Sequence, residues 1–183
     1  MLDNIVKILE ELDIKSYQIN ETTEESVELF FIKKVLDMKR RKDVTKYIVN
    51  VFHDFIEGDQ KMRGSSSTNI YSTMKEDEIK TALQDAYFAA SFVKNPYYEL
   101  PTGKKEDIKL HNSSLSKNSL EDSARLMTEA LFKEDKLKDS FLNSAELFVQ
   151  KLVKRIVNSE GIDVSYDQYK VTGEFVAQCM EPT

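Results

Sequence analysis

Side chains able to act as nucleophiles, bases or metal ligands are few and scattered in this chain. It holds two histidines, His53 and His111, and one cysteine, Cys179. His53 lies in an alternating stretch and His111 in a loop-like one, neither with a second histidine three to five residues away. A zinc site draws three or four convergent ligands, so none is expected from this chain alone. H-E-x-x-H, C-x-x-C and Walker patterns do not occur. "RGSSSTN", Arg63–Asn69, is rich in hydroxyls, but no glycine follows the serines to make a G-x-S-x-G nucleophile elbow. A half-solvated sheet face explains those hydroxyls, and a peptide meeting them is the intermediate reading. Acidic pairs such as Glu24-Glu25, Glu76-Asp77 and Glu121-Asp122 sit where turns and helix starts are expected. Helix capping and dipole effects account for them. Tyr97-Tyr98, between Pro96 and Pro101, can stack on a ligand, but suits pinning a long loop to the body better. No catalytic residue is assigned.

Asn158-Ser159-Glu160-Gly161 is the other candidate. A phosphate loop would need a helix after the glycine, so that backbone N–H groups and the dipole face the anion. Ile162–Met180 reads as extended instead. The tetrapeptide is therefore a strand–turn–strand joint, with Gly161 supplying a positive φ.

The elements that position these residues follow from periodicity. Ile5, Ile8, Leu9 and Leu12 predict a short N-terminal helix over 2–12. Residues 16–22 alternate as a strand. Residues 26–39 satisfy either period; the Phe30-Phe31-Ile32 cluster favours a strand. Residues 45–55 and 61–71 predict two more strands about a turn at 57–60. Ile79, Leu83, Ala86, Tyr87 and Ala90 mark a helix within 75–93, with Ser72 or Thr73 as candidate caps. Residues 95–117 form a long connection. Ser119 caps a helix reaching Asp135, its buried face drawn from Leu126, Met127, Ala130 and Leu131. Residues 144–157 are strand-like. The class is α+β: a largely antiparallel sheet with two main helices packed on it plus a short N-terminal helix.

The chain has 183 residues and a net charge of −6. One domain is expected, residues 1–183. The acidic balance argues against direct nucleic-acid binding, which depends on neutralising phosphates. The basic run Lys39–Lys42 is expected at a solvated hairpin end. No apolar run approaches the roughly 20 residues of a membrane span, so no membrane association is expected. The acidic, mixed first residues do not resemble a secretory leader. With one cysteine, a cytoplasmic setting is expected.

Two segments together resemble a known family. Val51–Pro101, "VFHDFIEGDQKMRGSSSTNIYSTMKEDEIKTALQDAYFAASFVKNPYYELP", is similar to the first conserved block of the TldD/PmbA family. There a strand leads through a turn into a Gly-Ser-Ser-Ser-Thr strand, an Ala-rich helix and an Asn-Pro loop. Ser144–Tyr166, "SAELFVQKLVKRIVNSEGIDVSY", resembles the second block, with its Asn-Ser-x-Gly turn. The residues matching the family motifs are Gly64, Ser65, Ser66, Ser67 and Thr68, then Asn158, Ser159 and Gly161, in structural or peptide-facing roles. The Gly64–Thr68 stretch is nearer the PmbA/TldE side, although glycine is scarce and the Lys39–Lys42 run is unusually basic. The resemblance implies an N-terminal domain that helps form a two-subunit chamber for proteolysis or maturation of unfolded peptides. It implies a homo- or heterodimer with a TldD/PmbA-type subunit. Family metal chemistry belongs to an H-E-x-x-x-H motif in the C-terminal half, so the resemblance allows zinc in a full-length protein or its partner and no cofactor in this chain. Two alternatives stand beside it: a peptide- or partner-binding module acting by strand addition, and a gyrase-linked regulatory factor.

Overall fold

The computed structural model describes residues 1–103 and 113–180, so His111 lies outside them. The elements are α1 (Leu2–Glu11), β1 (Ser16–Ile32), β2 (Val35–Glu57), β3 (Gln60–Tyr71), α2 (Glu76–Ala90), β4 (Asn95–Pro96), α3 (Leu120–Lys133), β5 (Ser140–Asn158) and β6 (Asp163–Cys179). The strands form one antiparallel sheet in the order β4-β3-β2-β1-β5-β6, and the class is α+β. Among the described residues, no helix is long and apolar enough to cross a membrane. The chain divides into two compact units. The first comprises Met1–Thr23, Thr45–Ile108 and Lys154–Tyr166; the second comprises Glu24–Val44, Lys109–Val153 and Asp167–Thr183.

In the first unit, α1 buries Ile5, Ile8 and Leu9, and α2 buries Ile79, Leu83, Ala86 and Ala90. Both stripes follow helical spacing. They meet Ile19 of β1, Tyr47, Val49 and Val51 of β2, and Ile70 of β3. Each large apolar side chain buried here contributes roughly 1.5–3 kcal/mol. α2 begins later than Ser72 or Thr73. Its N-cap is Lys75, whose backbone N–H donates to the Glu78 carboxylate at 2.7 Å.

In the second unit, Val27, Leu29 and Phe31 of β1 pack with Ala145, Leu147 and Val149 of β5 against Ala124 of α3. The apolar core residues here recur at period two, and residues 26–32 are strand, against the helix-forming propensity of Glu and Leu. Leu120, Met127 and Leu131 flank this core, and Phe132 meets Phe31 edge-on at 5.0 Å between ring centroids. Leu126 and Ala130, expected on the buried face, are exposed. The inward stripe runs through residues 120, 124, 127 and 131, which leaves 126 and 130 outside it.

The basic run also lies elsewhere than expected. The β1–β2 hairpin turns at Lys33-Lys34, with Lys33 at φ 55°, and Lys39–Lys42 sits inside β2. Acidic residues supply its partners. Arg40 hydrogen-bonds the buried Glu28, Lys42 pairs with Glu24 at 2.8 Å, and Arg41 with Glu121 at 3.0 Å. Two cross-strand pairs and one pair to the first turn of α3 let a cationic run occupy a strand.

Candidate functional site

The Gly64–Thr68 stretch lies on β3, whose register with β2 assigns each residue to a face. Val49 opposes Thr68, Val51 opposes Ser66, and His53 opposes Gly64. Directly opposed residues share a face. Since Val49 and Val51 belong to the helix-packed core, Gly64, Ser66 and Thr68 point toward α2. The alternate set points away from the helices: Asn50 opposite Ser67, Phe52 opposite Ser65, Ile48 opposite Asn69. Ile19 of β1 is also in the core, so Gln18 and Asn20 share this second face, joined by a 3.2 Å hydrogen bond. The five motif residues thus divide by pleat. Gly64, Ser66 and Thr68 lie on the helix side, and Ser65 and Ser67 join a helix-free face where amides and hydroxyls stand beside Ile48 and Phe52.

Gly64 has a packing reason. A Cβ built there would lie 1.8 Å from the Ala90 carbonyl oxygen and 2.6 Å from that of Val93. The C-terminal end of α2 therefore rests directly on the β3 backbone, which only glycine permits.

One end of the helix-free surface is closed by a clamp. Arg63, 4% exposed, donates from Nε to Asp54 Oδ1 at 2.6 Å and from Nη2 to Asp54 Oδ2 at 2.8 Å. Its Nη1 donates to the Tyr98 carbonyl at 2.8 Å. The guanidinium carbon lies 4.5 Å from the Tyr97 ring centroid and 5.5 Å from that of Phe52. The two Arg63 hydrogen bonds hold the Asp54 carboxyl below its usual range, against partial burial, and raise Arg63 further. Bidentate, charge-assisted geometry makes this a strong pair. Tyr97-Tyr98 therefore pins the connection to the sheet. Sequence reasoning missed Arg63 and Asp54, yet a signal was present. The tight turn at Gly58-Asp59 sets Asp54 opposite Arg63 in the hairpin register.

The same connection reaches the second motif. Asn158, 5% exposed, donates from Nδ2 to the Pro101 carbonyl at 2.8 Å. Its Oδ1 accepts from the backbone N–H of Glu160 at 3.0 Å and of Ile162 at 2.9 Å. Gly161 has φ 86°, and a Cβ on Gly103 would lie 2.5 Å from the Gly161 carbonyl oxygen. Ser159 exchanges bonds with Tyr17: its N–H donates to the Tyr17 carbonyl at 3.0 Å, and its Oγ accepts from Tyr17 N–H at 3.3 Å. All three side-chain bonds of Asn158 are taken up inside the turn and strap. Residues 95–103 thus strap the Arg63 clamp to the Asn158 joint.

His53 faces a cleft of about 380 Å³ with Leu12, Ile14, Gln84, Tyr87, Phe88 and Ser91. Its ring meets Tyr87 edge-on at 5.3 Å. Burial raises the Tyr87 pKa above the usual phenol value. Cys179 is exposed near the end of β6. Among the described residues, no group of three or more His, Cys, Asp or Glu side chains is placed to hold a metal ion.

Helices laid on an antiparallel sheet, two hairpins and a strapped asparagine turn define the class, an α+β domain. Among solved structures, this fold occurs in TldE from Thermococcus kodakarensis, at TM-score 0.61 and 16% identity over 97% of this chain and 43% of that one. It occurs in a protein from Thermotoga maritima named as a proposed modulator of a DNA gyrase, at TM-score 0.59 and 12% identity over 98% and 43%. A protein of the same description from Bacteroides thetaiotaomicron matches at TM-score 0.60 and 15% identity over 95% and 40%. The chain spans less than half the length of each of these proteins. No family model matches the sequence, and no curated protein matches it.

Proposed function

We propose that the chain is a non-catalytic domain of a TldD/PmbA-type protein, and that its helix-free surface faces an unfolded peptide inside a chamber made by two subunits. The observation that carries this is the surface itself, on a fold shared with TldE. Around Ile48 and Phe52, the residues Gln18, Asn20, Asn50, Ser65, Ser67 and Asn69 present amides and hydroxyls on this face. Such groups hydrogen-bond an extended backbone without selecting its side chains. Hydrolysis, and any zinc that serves it, would belong to another part of the longer protein or to its partner, in a cytoplasmic setting.

Calorimetric titration of an unfolded peptide into the chain tests this reading. Saturable binding is expected, weakened by Asn50→Leu with Ser67→Val. A flat titration across peptides of varied sequence counts against it. Added zinc should produce no cleavage, and robust metal-dependent cleavage by this chain would overturn the non-catalytic assignment.

Strand addition is the second reading, and it has its own support. β4 pairs only with Met62 and Arg63, so β3 continues past its short neighbour through Tyr71. A peptide laid along that edge would gain main-chain hydrogen bonds. The gyrase connection rests on names carried by similar proteins, and the net charge of −6 speaks against direct DNA contact.

A further inference from the structure

β6 closes one side of the sheet, with β5 as its strand neighbour. It is 17 residues long, and every residue in it except Tyr169 is exposed. Val171, Phe175 and Val176 are among the exposed apolar side chains. Edge strands are ordinarily blunted by proline, clustered lysines, bulges or brevity. β6 contains no proline and one lysine, Lys170.

We propose that the β6 edge is a self-association surface, pairing antiparallel with β6 of a second copy about a two-fold axis at Thr172. A two-fold axis perpendicular to an antiparallel pair requires one residue to face itself. With Thr172 on the axis, Lys170 faces the partner's Glu174 and Glu174 faces the partner's Lys170. Tyr169 faces the partner's Phe175, again twice, and Val171 faces the partner's Gly173. Asp167 faces the partner's Ala177, so no like charges oppose. Moving the axis to Val171 sets Lys170 against the partner's Thr172; moving it to Gly173 sets Lys170 against the partner's Val176. Both shifts lose the two ion pairs and the two aromatic pairs. Opposite charges and aromatic pairs directly across a ladder are the contacts that select register. The occupant follows from this self-complementarity: the strand's own charges and rings match a second copy of itself.

The inference deepens the two-subunit part of the proposed function, and its test uses no peptide, so the two can fail separately. Sedimentation of the chain over a range of concentrations should show a monomer–dimer equilibrium. Lys170→Glu places four carboxylates across the axis and should weaken association about tenfold. Glu174→Lys should do the same, while Lys170→Glu with Glu174→Lys should restore it. Restoration separates a register effect from misfolding. In a Cys179→Ser background, Thr172→Cys should oxidise to a covalent dimer, because opposed Cα atoms about 4.5–5.5 Å apart suit a disulfide. Gln168→Cys, facing the partner's Val176, should not. A monomer at every concentration means that something other than a second copy covers this edge, and it overturns the proposal. So does a dimer insensitive to either single reversal, or a double reversal that fails to restore association.

Discussion

Gly64 and Asn158 are small-scale answers to large-scale problems. A methyl group on Gly64 would overlap the Ala90 carbonyl oxygen at 1.8 Å, and backbone cannot rotate aside as a side chain can. Gly64→Ala should destabilise the chain at or above the top of the roughly 1–3 kcal/mol range for overpacking. Thermal unfolding would read this, and an unchanged midpoint would contradict the close approach of α2. Asp54→Asn leaves Arg63 buried without its carboxylate and should cost about 1.5–3 kcal/mol at neutral pH. The pH dependence has a definite sign. The folded pKa of Asp54 lies below its unfolded value, so the stabilisation is complete above about pH 4 and is lost as pH falls through the depressed value. Wild type should therefore lose stability more steeply than Asp54→Asn on acidification below about pH 4. Parallel acid limbs would show that the pair contributes nothing.

At the scale of elements, burial decides which of two readable patterns is realised. Residues 26–32 carry helix-forming Glu and Leu, but Val27, Leu29 and Phe31 are buried at period two, and the strand prevails. α3 turns residues 120, 124, 127 and 131 inward and leaves Leu126 outside. Leu126→Lys should change stability by less than about 0.5 kcal/mol, as surface substitutions do. Leu83→Ala in α2, at a fully buried position, should cost about 2–5 kcal/mol. Denaturant midpoints of the two variants check the contrast; equal losses would mean that α3 is rotated from the orientation described.

For the whole molecule, the two motifs that first drew attention act chiefly as scaffold. Gly64 seats a helix, Asn158 closes a turn, and residues 95–103 tie the two together within the first unit. Beside the His53 cleft and the β3 edge, the first unit also presents the helix-free surface containing Asn50, Ser65 and Ser67. If it faces peptide, Asn50→Leu with Ser67→Val should reduce affinity without lowering the unfolding midpoint. A loss of affinity that tracks a loss of stability would point to a structural role instead.

Sequence alone determined what depends on near neighbours. Helical and alternating periods set the helices and most strands, a tight turn set the β2–β3 register, and Gly161 marked a positive φ. Types and spacing also exposed the lack of a nucleophile elbow or zinc motif. Tertiary structure decided which distant groups meet. Asn158 and Pro101 are 57 residues apart in the chain, and Arg63 and Tyr98 are 35 apart. Each contact satisfies a buried side-chain donor, Asn158 Nδ2 or Arg63 Nη1, whose desolvation cost arises only once the chain is folded. The division of Ser65–Thr68 between a packed face and an open one likewise followed from where α2 came to rest.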